Sequence, residues 1–179
     1  MRADETTTVS QGRIRVIVTK GFIIPCLFYL MVGLALYPQL GIIASMLGFH
    51  MIGQPSEVEW AFAGFYFMLV GIGGVIAHEI GHALVIKYRH HGTALIALSS
   101  QVGTRHAPIE GSRLMALCGP VAQAVYGLIA LAICYSTNAF YFSVLAAYII
   151  IDALYNLLPF RNYDGYHIFR NRKSRLAHS

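Results

Sequence analysis

Two histidines and a glutamate stand inside an oily stretch, VIAHEIGHALVIKY at residues 75–88. In a helix, residues i and i+4 lie one turn apart on the same face. His78 and His82 can therefore turn a ring nitrogen each toward a single Zn²⁺, and Glu79 can reach water at that ion as a base. Three ionisable groups within five residues of an apolar run need a common partner, and a metal ion supplies one. A catalytic zinc takes three protein ligands and keeps one position open, so a third ligand has to come from elsewhere. Asp152, Asp164 and His167 are the candidates. The segment YNLLPFRNYDGYHIF at 155–169 favours Asp164. Pro159 lacks an N–H and breaks the helix before it, and Gly165 frees the backbone beside it. Irregular backbone of this kind, at membrane depth, must line a cavity or be buried in protein.

The elements that position these groups follow from composition. The chain has 179 residues, 56% hydrophobic and 12% charged, with a mean hydropathy of +0.58. A soluble domain is charged at about a quarter of its positions, so the sequence reads as an all-α polytopic membrane protein of one domain. A membrane helix needs about 20 apolar residues, and four stretches qualify, roughly 21–43, 60–86, 114–135 and 139–160. The chain divides into a cytoplasmic N-terminal segment (1–20), a transmembrane core (21–160), and a metal-ligand turn with a basic tail (161–179). The basic start precedes a long apolar run with no small-x-small cleavage site, which predicts a retained span. Pro38 interrupts the apolar region 21–53, predicting one span followed by an outer-surface or re-entrant segment.

The 13 Lys and Arg residues set the orientation. Four precede the first span, four lie between the second and third, and five follow the fourth. All fall on one side, and the positive-inside rule makes that side cytoplasmic, with both termini inside a cell membrane. The formal charge of +5 thus points to topology and not to nucleic acid. Within the cytoplasmic connection, TALIALS at 93–99 is short, apolar and flanked by turn residues, which predicts a strand and a short β-hairpin between helices two and three. Cys26, Cys118 and Cys134 stand singly in apolar runs and read as packed core. Gly64, Gly71, Gly73 and Gly74 read as close helix packing, and His90, His91 and His106 as solvated residues of the connection.

HEIGH at 78–82, CGPVAQ at 118–123 and NLLPFRNYDG at 156–165, in this order, resemble the site-2 protease family of intramembrane zinc metalloproteases. The family pattern is HExxH, then GPxxN, then NxxPxxxxDG, on three consecutive core helices, and the likeness runs from about residue 60 to 166. It implies Asp164 as the third ligand of one zinc per chain, Glu79 as general base, and a transmembrane or membrane-associated peptide as substrate. The chain departs from the pattern at several positions. Gln123 stands for the Asn of GPxxN, Asn162 and Tyr163 replace the usual Pro and Leu, and Tyr166 replaces the second Gly. The DGY ending is similar to a bacterial branch found near peptide-maturation systems. These departures bear on substrate choice: a membrane-anchored regulator, or a small secreted or modified peptide. A zinc-holding membrane scaffold or transporter is the rival of a different class. Asn156 and Gln123 are expected to hold the substrate backbone or a developing oxyanion. Asp152, one turn before Asn156, is expected either to orient a zinc histidine through a hydrogen bond or to tie two helices together. The strand 93–99 is expected to capture an unwound substrate by strand addition.

Overall fold

A buried backbone must pair its own N–H and C=O groups, and a long apolar run does so most simply as a helix. The computed structural model describes residues 12–46, 57–100, 102–105, 113–136, 140–161 and 163–170. The chain opens with strand β1 (Ile14–Val18) and a 3-10 turn at Lys20–Phe22. Helices α1 (Ile23–Met46) and α2 (Glu57–Arg89) follow. Strands β2 (Ala94–Leu98) and β3 (Gly103–Arg105) come next, then α3 (Arg113–Ser136), α4 (Phe140–Asn156) and α5 (Asp164–Arg170). Pro38 lies within α1 and does not end it. The outer or re-entrant segment expected after it falls mostly outside the described residues. α4 stops at Asn156, three residues before Pro159, and α5 starts at Asp164 where only a turn was expected.

Helix α2 is the spine. At about 1.5 Å per residue, its 33 residues span about 50 Å, and two separate cores pack along it. Toward its start, Ala63, Phe67 and Val70 meet Ala130 of α3 and Leu145, Ala146 and Ile149 of α4. Toward its end, Ala83 and Ile86 meet Ala94, Ile96 and Leu98 of β2. The histidines lie at the junction. Glycines let the helices close: a Cβ at Gly73 would run into the Tyr126 hydroxyl, and one at Gly74 would lie 2.9 Å from Ile149.

The predicted hairpin is present, with β2 antiparallel to β3. It belongs to a larger sheet of order β1-β2-β3, because Ile14–Val18 pairs in parallel with Ala94–Leu98. This removes one expectation. Strand β2 is the central strand, paired on both sides over Leu95–Ala97, so that stretch offers no free edge for strand addition.

β1 before α1 pairs with β2 after α2, and α5 after α4 meets α2 near the start of α3. Every segment flanked by Lys and Arg within the described residues thus gathers at one end of the bundle. Two helical stretches, Ala61–Arg89 and Arg113–Ser136, are long and apolar enough to cross a membrane, and Lys20–Leu36 and Ser143–Asn156 are shorter apolar helices. Their outward faces are apolar as well. Phe28, Met31, Phe65, Leu69, Leu128, Ile129 and Ile151 are all exposed, whereas a helix on a water-facing surface turns polar residues outward.

Candidate metal centre

Three ligand atoms converge where α2, α3 and α5 meet. His78 Nε2 and His82 Nε2 are 3.0 Å apart, and Asp164 Oδ2 stands 3.0 Å from the first and 3.4 Å from the second. Metal bonds of about 2.0–2.1 Å directed to the corners of a tetrahedron separate neighbouring ligands by about 3.3–3.4 Å. The observed triangle is close to that spacing. Among the described residues, the group of His, Cys, Asp or Glu side chains able to hold a metal ion is His78, His82 and Asp164.

The far sides of the rings show which nitrogen carries the proton. His82 Nδ1 lies 2.7 Å from the Met115 carbonyl oxygen, which can only accept, so Nδ1 is the donor. His78 Nδ1 lies 2.8 Å from Gln123 Oε1 and donates likewise. The opposite tautomer at either ring would set two electron pairs against each other and strand a partly buried group, at about 1–3 kcal/mol. Each neutral imidazole therefore turns an electron pair on Nε2 toward the same point, where the Asp164 carboxylate also points. Three electron-pair donors at these distances repel unless a cation lies among them. That cation is a proton or a metal ion, and the geometry accommodates either.

Asp164 stays ionised. Burial alone raises its carboxyl, but when the cation at the triangle is a proton, the hydrogen bonds from His78 and His82 outweigh that and hold it down to about 2. Its position in the first turn of α5 suits a negative charge as well. Gly165 makes this turn possible: a Cβ there would run into the Leu157 and Leu158 carbonyls at the end of α4. Glu79 is half-buried beside His78 on α2, close enough for its charge to be felt at His82.

The CGPVAQ stretch acquires a physical meaning here. A Cβ on Gly81 would collide with the Cys118 carbonyl, and one on Gly119 would lie 2.5 Å from His82 Nε2 and 3.0 Å from His78 Nε2. α3 can approach the ligands this closely only with glycine at both crossings. Pro120 sits inside α3, where it has no N–H and crowds the Ala116 carbonyl. The same stretch of helix turns the Met115 carbonyl to His82.

Gln123 has neighbours that its sequence position did not announce. It is 2% exposed, and its amide is engaged at both ends, by His78 and by Asp152 Oδ2 at 2.7 Å. It ties a ligand histidine to Asp152 across the helices. Asp152 is a step removed from the ligand triangle and contacts Gln123. Asn156, half-buried at the end of α4, donates to the Asp152 main-chain carbonyl at 3.2 Å. His167 is exposed on α5 and His90 and His91 are exposed beyond α2, outside the cluster, and His106 lies outside the described residues. Sequence reading missed Met115, Gly81 and Gly119. A backbone carbonyl carries no sequence signal, though glycines spaced against an HExxH helix could have been one. Comparison with protein-family models, curated proteins and solved structures finds no match to this chain.

Proposed function

We propose that the chain is an intramembrane zinc metalloprotease that hydrolyses a peptide bond of a membrane-spanning or membrane-associated substrate near the cytoplasmic face. One observation carries the reading. Two Nε2 electron pairs and a carboxylate converge at tetrahedral spacing, beside Glu79. Three protein ligands leave the fourth corner open, as a hydrolytic site requires and a closed structural zinc site does not. Two imidazole nitrogens and one carboxylate oxygen match the donor set of zinc peptidases; Fe(II) takes the same set, and the HExxH helix with its glutamate favours zinc. The apolar outer faces of α1 to α4 and the gathering of basic segments at one end support a multi-pass protein with that end in the cytoplasm.

His78, His82 and Asp164 would hold a zinc ion, which would supply Lewis-acid chemistry toward water and a carbonyl. The side chains do the rest. Gln123 and the Met115 carbonyl fix the two rings that would carry the ion. Glu79 accepts a proton from the attacking water and later passes it to the leaving amine. A substrate helix must unwind before its carbonyls can enter, because its own hydrogen bonds cover them.

The decisive variant is Glu79→Gln, near-isosteric and neutral. It should keep zinc and its fold, yet cut transmembrane-helix peptides in proteoliposomes about 100-fold or more slowly than the parent, the low end of a general-base contribution. The uncut substrate should then be recovered bound to the variant. A scaffold or transporter would be indifferent to the change. Parental cleavage rates with zinc retained would sink the mechanism.

A further inference from the structure

The polar contacts behind His78 run in one direction. A carboxylate can only accept hydrogen bonds, so the Gln123 amide must turn its NH2 toward Asp152 Oδ2, 2.7 Å away. Its oxygen then faces His78 Nδ1 at 2.8 Å and can only accept there. His78 is left as a donor on Nδ1, with its electron pair on Nε2 facing His82 and Asp164. An amide has nearly the same shape in both flips, so Gln123 by itself could present either end to the ring. With the NH2 toward His78, the ring would carry its proton on Nε2 and could not bind a metal. His82 needs no such device, because its Nδ1 meets a main-chain carbonyl that has no alternative flip.

We propose that Asp152 is a positioning residue: acting through the Gln123 amide, its charge holds His78 in the tautomer that binds metal. This deepens the metalloprotease reading and rests on the metal ligands assigned there. The relay crosses three helices, from Asp152 on α4 through Gln123 on α3 to His78 on α2. It also accounts for a glutamine at position 123, since the longer amide bridges a ring on one side and a carboxylate on the other.

The test is an exchange of carboxylate and amide on the full chain in detergent. Zinc affinity is read by chelator competition, and the His78 tautomer of the metal-free protein by nitrogen NMR. Asp152→Asn lets the amide pair run in either direction. It should weaken zinc binding about 10- to 100-fold, the usual effect of losing a ligand's supporting partner, and shift His78 toward the Nε2–H form. Gln123→Glu sets two carboxylates against each other and should also weaken binding. The double variant restores one acceptor for His78 and one donor behind it, so most of the affinity and the Nδ1–H tautomer should return. A role in packing alone predicts two losses that add, with no rescue. Parental affinity and tautomer in Asp152→Asn, or a double variant no tighter than the singles, overturns the relay. A parent chain that takes up no zinc overturns the metal assignment instead, and the tautomer shift in metal-free protein still decides the relay on its own.

Discussion

Gly119→Ala adds one methyl group at the point where α3 touches the ligands. That methyl would lie 2.5 Å from His82 Nε2, where ordinary contact begins at 3.4 Å. The ring or the helix must give by about 0.9 Å. The ring cannot swing away freely, because its Nδ1 is held at 2.7 Å by the Met115 carbonyl of the same helix. His78, 3.0 Å from the methyl, is held by Gln123. A metal site tolerates ligand displacements of about 0.2 Å, so the shift is several times what coordination allows. Zinc affinity should fall about 100-fold, comparable to the cost of a 1 Å misplacement at a reacting centre. Helix propensity works the other way, since alanine is favoured over glycine by about 1 kcal/mol in a helix interior. Gly74→Ala is the control. It adds the same methyl on α2, 2.9 Å from the flexible tip of Ile149, away from the ligands, and should keep its zinc. The assay is zinc per chain and zinc affinity by chelator competition, with thermal unfolding in detergent read alongside. Parental zinc affinity in Gly119→Ala would refute the claim that α3 sets the ligand geometry.

Purified protein should carry one zinc per chain by metal analysis, with His78→Ala close to zero and Asp164→Ala clearly depleted; full zinc in both would remove the site. Cysteines placed at positions 3, 100 and 176 in a cysteine-free background should resist an impermeant thiol reagent in intact cells. Labelling of the first alone would put the N-terminus outside and require a fifth span. Gly81→Ala should push α2 from the Cys118 carbonyl and lower zinc content, while Gly73→Ala, facing the Tyr126 hydroxyl, should destabilise the bundle with zinc retained.

The parts legible in the sequence are those set by local periodicity. His78 and His82 share a face because four residues make about one turn, and the oily runs become helices because their backbone must pair with itself. Pro159 and Gly165 announced a break, and the break falls between Asn156 and Asp164. What was not legible depends on partners distant in the chain. Strand β1 looks like an unstructured basic segment until Ala94–Leu98 pairs with it, which turns an expected edge strand into a central one. The contacts of Gln123 were not legible either: its likeness to a family Asn pointed to substrate, and only its three-dimensional neighbours show the two ends of the amide meeting His78 and Asp152. Pro38 interrupts the apolar run, yet α1 continues past it to Met46, since a proline costs a helix one hydrogen bond and crowds one carbonyl without having to end it.

The arrangement also bears on why so apolar a chain holds this many polar groups between its helices. Asp164, His78, His82, Gln123, Asp152 and Asn156 form one connected set, joined by contacts of 2.7 to 3.4 Å. Among the described residues no buried side-chain nitrogen or oxygen is left without a partner. A set that served only to bind helices together would be complete in itself. This one is complete everywhere except at the Nε2–Nε2–Oδ2 triangle, where the donor assignments forced from behind leave electron pairs facing one another. Outward satisfaction and inward repulsion are what a cation-binding site requires, because the network fixes the ligands before the ion arrives. The same asymmetry separates a metal centre from a helix-tying cluster in a direct way. Removing zinc should lower the unfolding temperature of the parent, and Asp164→Asn should reduce that zinc-dependent difference because it withdraws a ligand charge. If the parent unfolds at the same temperature with and without zinc, the triangle is held by protons alone and the site binds no metal of consequence.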